Sequence, residues 1–591
     1  MNLESLANEI LLDLLEYLDA VNLFRAFHGL NARFDQLIFI KLQRYYLDFR
    51  SIALRDFDIF HQEYLPLIND RIITFHLSDD IETPNMSQHF LLHNYIIKQF
   101  IHLKLLFIDY IYSFDVLNKL ILQCRELSYL THLYISINTY QDPAENFHDF
   151  INNIWSLPNL THCHLDIIHP YAIQLIQMSV ISQSINYLSI QNINYDLHSL
   201  SHLLLHTTYL QRLHIYGISQ YDDYQPQTMF PSIISFKTSF QGSVQSMKNL
   251  FQIMPNLKYL TLETNTIYLD GYAWEKVFLT YLPNIKIFRL KMRVELLPLS
   301  DVEQQIDEIF HSFRTEFWIE KHQWYVQCDW CPMDINKIGI LYTLPYAFDT
   351  FYFTDGSRSK STSPNDFHDS AYNQVQILEH IHRRQNLNED FPLFTFRFLN
   401  IRHLSTVFPF NNDFWSAIPK LNQLISLNAV LNQDFGYPQL QALLNIAPRL
   451  YSLSFSHSNN FSMASFNISS ISIRRFELFQ NFKCGLRYFK NAECSMLTRT
   501  FIAFQCEVLL VDVESRTNVF NFINTMPNLR VLIVRCKDDE RSRHHSSETN
   551  DELIVWFQDQ LSSKLMYSII RNANDGSQLI ISIYRQKNRH L

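Results

Sequence analysis

The chain has 591 residues, 47% of them apolar, 14% aromatic and 18% charged, a balance that excludes a disordered chain and allows a large buried core. Glycine is scarce, 9 in 591, which argues against glycine-lined phosphate cradles. Lys and Arg number 48 against 58 Asp and Glu, a net charge of −10, so the overall charge gives no reason to expect a nucleic-acid partner. No run of about 18 apolar residues predicts a membrane span. The start, MNLESLANEILLDLLEYLD, is acidic and amphipathic rather than secretory in pattern, and eight scattered cysteines suit reduced thiols. A cytoplasmic or nuclear protein is expected.

Leu6, Ile10, Leu11, Leu14, Leu15 and Leu18 recur at helical spacing and predict an apolar stripe on a first short helix. Asp19 is placed to cap a second helix carrying Leu23, Phe24 and Phe27. Asn31 is placed to cap a third with Phe34, Leu37 and Ile38. Three brief helices enclose little core, so residues 1–50 read as a docking module. The run Leu6-Ala7-Asn8-Glu9-Ile10-Leu11, then Leu14-Leu15-Glu16-Tyr17-Leu18-Asp19, Leu23 and Leu30-Asn31-Ala32-Arg33-Phe34 resembles the F-box. Ala7 stands where that family usually has proline, and Asn31 and Phe34 where cysteine and tryptophan are common. The resemblance implies a subunit that binds the adaptor of an SCF-type cullin-RING ubiquitin ligase, and through it the cullin scaffold. It implies that Leu6, Ile10, Leu11, Leu14, Leu18 and Leu23 hold adaptor-facing or adjacent core positions.

From about residue 65 to 292 one pattern returns: a helical stretch, then L-x-x-L-x-L or an isosteric version, then a polar turn. The copies begin at Ile72, Phe100, Leu130, Leu160, Ile185, Leu210, Ile233, Leu257 and Ile285, a mean spacing of about 27 residues. The copy Leu257-x-x-Leu260-x-Leu262-x-x-Asn265-x-Ile267 resembles the leucine-rich repeat. Helices are predicted over 197–207, 244–254 and 274–282. An α/β solenoid with a parallel sheet on its concave face is therefore expected.

Residues 293–400 break the period and are rich in aromatics, predicting an irregular repeat or insertion, with an exposed loop at 355–369. The pattern resumes over 401–591 at Leu424, Leu450, Ile473, Cys506 and Leu529. A charged excursion covers 537–551, and Leu579 to Tyr584 has strand character and is placed to pair at the terminal edge of the sheet.

Chemistry-bearing motifs are few. Cys328-Asp329-Trp330-Cys331 lacks a second thiol pair, with only His322 and His368 as additions, and reads as packed thiols rather than zinc ligands. His198, His202 and His206 share one helical face and read as a repeat's outer surface. No nucleophile elbow, Walker loop or H-E-x-x-H motif is present, so neither an enzyme nor a cofactor is expected.

Alternate residues of the repeat strands face away from the core, which defines two rows. One is Thr74, His102, His132, His162, Tyr187, Arg212, Ser235, Tyr259 and Ile287. The other is His76, Lys104, Tyr134, His164, Ser189, His214, Lys237, Thr261 and Arg289. Neither row holds a carboxylate. His132, Tyr134, His162, His164, Tyr187, Arg212, His214, Lys237, Tyr259 and Arg289 are the candidate substrate-binding residues. Arg212, Lys237 and Arg289 are the charge partners for an acidic or phosphorylated protein segment. A non-catalytic substrate receptor of a ubiquitin ligase is the expected function, with a protein-binding scaffold outside any ligase as the alternative.

Overall fold

In Leu130-Thr-His-Leu133-Tyr-Ile135-Ser-Ile137 nearly every second residue is apolar. A strand turns successive side chains to opposite faces, so such a segment buries one face and leaves the other open. The computed structural model describes residues 3–584 except 16–17, 19, 42–44, 51, 53, 93–96, 112, 139–146, 169–177, 194, 221–224, 298–300, 333–337, 355, 365–369, 382–395, 411, 432–435, 458–467, 479–487, 540–550, 562–565 and 573–574. Asp19, expected to cap the second helix, His368, and residues 540–550 of the charged excursion lie outside the described residues.

The chain divides into two compact units, one of Met1–Leu262 with Val277–Ile287 and one of Glu263–Lys276 with Phe288–Leu591. The first begins with three helices, α1 (Asn8–Leu15), α2 (Ala20–Phe27) and α3 (Ala32–Lys41). Strands β1 (Tyr45–Asp48), β2 (Ile72–Ser78), β3 (Leu105–Asp109), β4 (His132–Asn138), β5 (His162–Ile168), β6 (Tyr187–Gln191), β7 (Arg212–Gln220), β8 (Ser235–Gly242) and β9 (Tyr259–Thr264) then lie side by side in chain order. The registers from β1 to β8 are parallel. Consecutive parallel strands need a crossover, supplied by helices such as Phe114–Cys124, Phe147–Trp155, Leu197–Leu205 and Val244–Gln252. Two start where a side chain caps them: Asp196 accepts from the Ser199 amide at 2.6 Å and Ser243 from the Ser246 amide at 3.0 Å. The buried rows Phe75, Leu106, Leu133, Cys163, Leu188, Leu213, Phe236 and Leu77, Ile108, Ile135, Leu165, Ile190, Ile215 form the interior.

The second unit opens with an antiparallel set in the order β10 (Ile287–Glu295), β12 (Ile338–Thr343), β11 (Val326–Trp330), β14 (Arg358–Ser361). Its ten-stranded sheet runs β13 (Thr350–Thr354), β15 (Ile377–Ile381), β16 (His403–Phe408), β17 (Ser426–Leu431), β18 (Ser452–His457), β19 (Arg475–Glu477), β20 (Val508–Val513), β21 (Val531–Cys536), β23 (Leu579–Tyr584), β22 (Met566–Arg571). All pairings are parallel up to β21 and antiparallel beyond it. The expected aromatics Tyr342, Tyr346, Phe348, Phe351 and Phe353 join its core.

Two expectations need correction. Part of the run expected to be an exposed loop at 355–369 is strand β14: Arg358 and Lys360 pair with Glu303 and Asp307, both at 2.6 Å, so its charge serves pairing with the helix Val302–Ser312. The strand Leu579–Tyr584 exists but is not terminal in the sheet, because β22 covers its outer edge. The fold is thus α/β with predominantly parallel sheets, and no described helix is long and apolar enough to cross a membrane.

Candidate functional site

Two surfaces of the first unit carry the residues singled out by sequence. The first is the helical module. The expected single stripe on α1 is two edges: Leu11 and Leu15 are 1% and 2% exposed, while Ile10, Leu14 and Leu18 are 49%, 44% and 38% exposed. Leu23 is 1% exposed, so Leu11 and Leu23 hold core positions adjacent to the exposed edge; Leu6 is partly exposed. The inner edge is fixed by aromatic packing, with the Phe24 ring 5.9 Å from Phe60 and 5.2 Å from Tyr64. At the module's start Arg33 donates to Asn8 Oδ1 at 2.8 Å, the Glu4 carbonyl at 2.5 Å and the Leu6 carbonyl at 2.6 Å. Asn31 caps α3 as expected, accepting from the Phe34 amide at 3.0 Å, and donates to Glu4 Oε1 at 3.0 Å. Phe34 is buried. These contacts leave Ile10 and Leu14 outward on α1 at a spacing of four, which is how a helix offers anchors to an apolar groove, and Leu18 is exposed beyond the helix end.

The second surface is the open face of β1 to β8. The register aligns His132, His162, Tyr187, Arg212 and Ser235 in one row and Tyr134, His164, Ser189, His214 and Lys237 in the next, as expected. At β3 the expected residues are displaced. Leu105 and Phe107 hold the row positions instead of His102 and Lys104, because the interior residues are Leu103, Leu106 and Ile108. The segment contains L-x-x-L-x-I from Leu103 as well as F-x-x-L-x-L from Phe100, and the first of these identifies the register.

The rings stack along the rows. His132 lies 4.1 Å from His162 at 12°, His162 lies 5.4 Å from Tyr187 at 27°, and Phe107 lies 4.5 Å from Tyr134 at 14°. Thr161 Oγ1 donates to the Thr131 carbonyl at 3.1 Å and sits 2.9 Å from His162 Nδ1. Desolvation lowers the pKa of His132, His162 and His164, and the neighbouring His132 and Arg212 lower His162 further. His214 is pushed down to about 4, first by desolvation and then by Lys237 and His164. The imidazoles are neutral at pH 7.

The face is not free of acids, as the two rows alone suggested. Asp48 lies in the second row, and Asp109 and Asp166 lie in the row beyond it. Each has a partner of its own: Arg50 on Asp48 at 2.7 Å, His76 on Asp109 at 2.5 Å, and Asn192 on Asp166 at 2.5 Å. Tyr259 is exposed on β9. Arg289 is a different case, because it belongs to the second unit, where it donates to the Leu344 carbonyl at 3.4 Å and burial lowers its pKa. It leaves Arg212 and Lys237 as the cations of the first unit's rows.

The remaining motifs are accounted for locally. Cys328 and Cys331 are buried, and burial pushes the Cys328 thiol well up. His322 stacks on Trp324 at 4.1 Å. His202 packs on His206 at 4.5 Å, and His198 is exposed. Among the described residues no group of three or more His, Cys, Asp or Glu is arranged to hold a metal ion. No model of a known protein family matches the chain, and no curated protein sequence matches it either.

Proposed function

We propose that the protein is a non-catalytic substrate receptor of an SCF-type ubiquitin ligase, docking to the adaptor through an F-box formed by α1 to α3 and binding a protein target through a leucine-rich-repeat solenoid. The observation that carries the reading is the exposed pair Ile10 and Leu14 on a helix whose other edge is committed to the core, with Leu18 exposed beyond its end. Exposed leucine and isoleucine at spacings of four, held by buried Leu11, Leu15 and Leu23, suit helix-in-groove docking. The consecutive parallel strands with a common open face suit the target-binding half. Transfer chemistry would belong to other subunits, with this chain positioning the target.

The test is size exclusion of the purified chain with the ligase adaptor, alongside a Leu14→Asp, Leu18→Asp double variant. A complex formed by the native chain and lost in the folded variant is the expected result. No complex with the native chain would leave a protein-binding scaffold outside any ligase.

A further inference from the structure

On the open face of the first unit the acids and cations are unequally engaged. Asp48, Asp109 and Asp166 are each held by a partner within the chain. Arg212 and Lys237 are held by no carboxylate among the described residues, although Arg212 is exposed on the first row and Lys237 sits partly exposed on the second. His214 is on the same strand as Arg212 and directly opposite Lys237 in the β7–β8 register. Two positive side chains thus stand beside a desolvated imidazole on one open face, a combination that attracts an anion from outside.

We propose that Arg212, His214 and Lys237 form a reading site for an anionic side chain, glutamate, aspartate or phosphoserine, in an extended acidic segment of the protein target. This rests on the receptor reading only for the word target; the site itself is a property of β7 and β8. The neighbouring aromatic rows, His132 with His162 and Tyr187, then flank the segment with polar ring edges.

Capture at this site takes up a proton. His214 is faced by Ser189 and Tyr187 on β6, by His164 on β5, by Lys237 on β8 and by Arg212 on its own strand, with Ser189 Oγ 3.3 Å from its Nδ1. Asp166 lies one row away on β5, beside His164 rather than His214. Desolvation, then Lys237 and His164, lower the pKa of His214 to about 4 in the free chain. A bound carboxylate or phosphate reverses the sign of that environment and raises it. Affinity must then increase as pH falls from neutrality toward the free-chain value, by at most about tenfold per pH unit for one proton.

The experiment is fluorescence anisotropy of the full chain with three labelled octapeptides: glutamate-rich, phosphoserine-containing and lysine-rich. The two acidic probes should bind and the lysine probe should not. Arg212→Glu with Lys237→Glu, checked for folding by circular dichroism, should weaken acidic binding by about tenfold or more, and Arg212→Lys should retain most of it. The glutamate probe should bind several-fold more tightly at pH 5.5 than at pH 7.5, and His214→Gln should remove that gain. Absence of acidic binding by the folded chain, equal binding of the lysine probe, or indifference to charge reversal would overturn the proposal. Adaptor binding is scored separately: a chain that binds adaptor but no acidic probe fails here alone, and one that binds the probes but no adaptor fails the ligase reading alone.

Discussion

The open faces of the two units are built on the same interior and differ in almost everything else. In the first unit the rows over β3 to β8 carry Phe107, His132, Tyr134, His162, His164, Tyr187, Arg212, His214 and Lys237. In the second the rows over β15 to β19 carry Glu379, Ser405, Asn428, Ser454 and Glu477, with His403, Ser426, Ser452 and Arg475 beside them. Behind both lie buried leucines and phenylalanines: Leu133, Leu188 and Leu213 in one, Leu404, Leu427, Leu453 and Phe476 in the other. Interior rows of this kind determine that strands stack, while the outward rows are free to vary. The aromatic and basic face resembles an interface core in composition, and the serine and asparagine face resembles solvated surface.

That contrast can be broken or sharpened by substitution. The largest effect is expected where the second unit closes, because Arg535 is buried against Asp512 at 3.5 Å and Asp575 at 2.8 Å. Arg535→Met should cost about 3–5 kcal/mol in urea unfolding, since it strands a buried carboxylate. Next, Leu213→Ala and Leu427→Ala should each cost about 2–5 kcal/mol, whereas Arg212→Ala and Asn428→Ala, their outward neighbours, should stay within about 0.5 kcal/mol. Equal costs for inward and outward residues would refute the division of labour.

The two units should also answer pH in opposite directions at particular residues. Asp512 is raised to about 7, chiefly by desolvation with Arg535 opposing it, so its contribution is full below about pH 4 and is lost as pH rises through 7. Asp512→Asn should therefore raise thermal stability at pH 8, by about 1–3 kcal/mol, and leave pH 4 unchanged. His214, with its pKa lowered to about 4, contributes fully above about pH 6.5 and less as pH falls toward 4. His214→Gln should stabilise at pH 5 by about 1–2 kcal/mol and be neutral at pH 8. Arg33→Ala should cost about 1–2 kcal/mol by releasing its bonds to Asn8, Glu4 and Leu6.

Much of the fold was legible because burial follows short periods. The repeat heads at Leu130, Leu160, Ile185 and Leu210 located β4 to β7, and Asn31 located the start of α3. The failures have specific physical sources. At Phe100 two overlapping apolar patterns competed, and only strand pairing distinguishes them, which hid Phe107 from the open face. On α1, Leu11 and Leu14 are both leucines three positions apart, and only the packing of α2 and α3 determines which turns inward. Arg289 reads as a free cation until the carbonyl of Leu344, 55 positions later, arrives beside it. The strand at Arg358–Ser361 has a loop's composition because its charges answer Glu303 and Asp307, partners about 50 positions away in sequence.

On the proposed receptor role, adaptor docking and target recognition would occupy different surfaces of one chain. Hydrogen–deuterium exchange of the full chain with and without saturating ligase adaptor tests it most directly. Added protection is expected only in peptides covering Asn8–Leu15 and Ala20–Phe27, with the strands from His132 to Gly242 unchanged. Protection on those strands, or none anywhere, would contradict it.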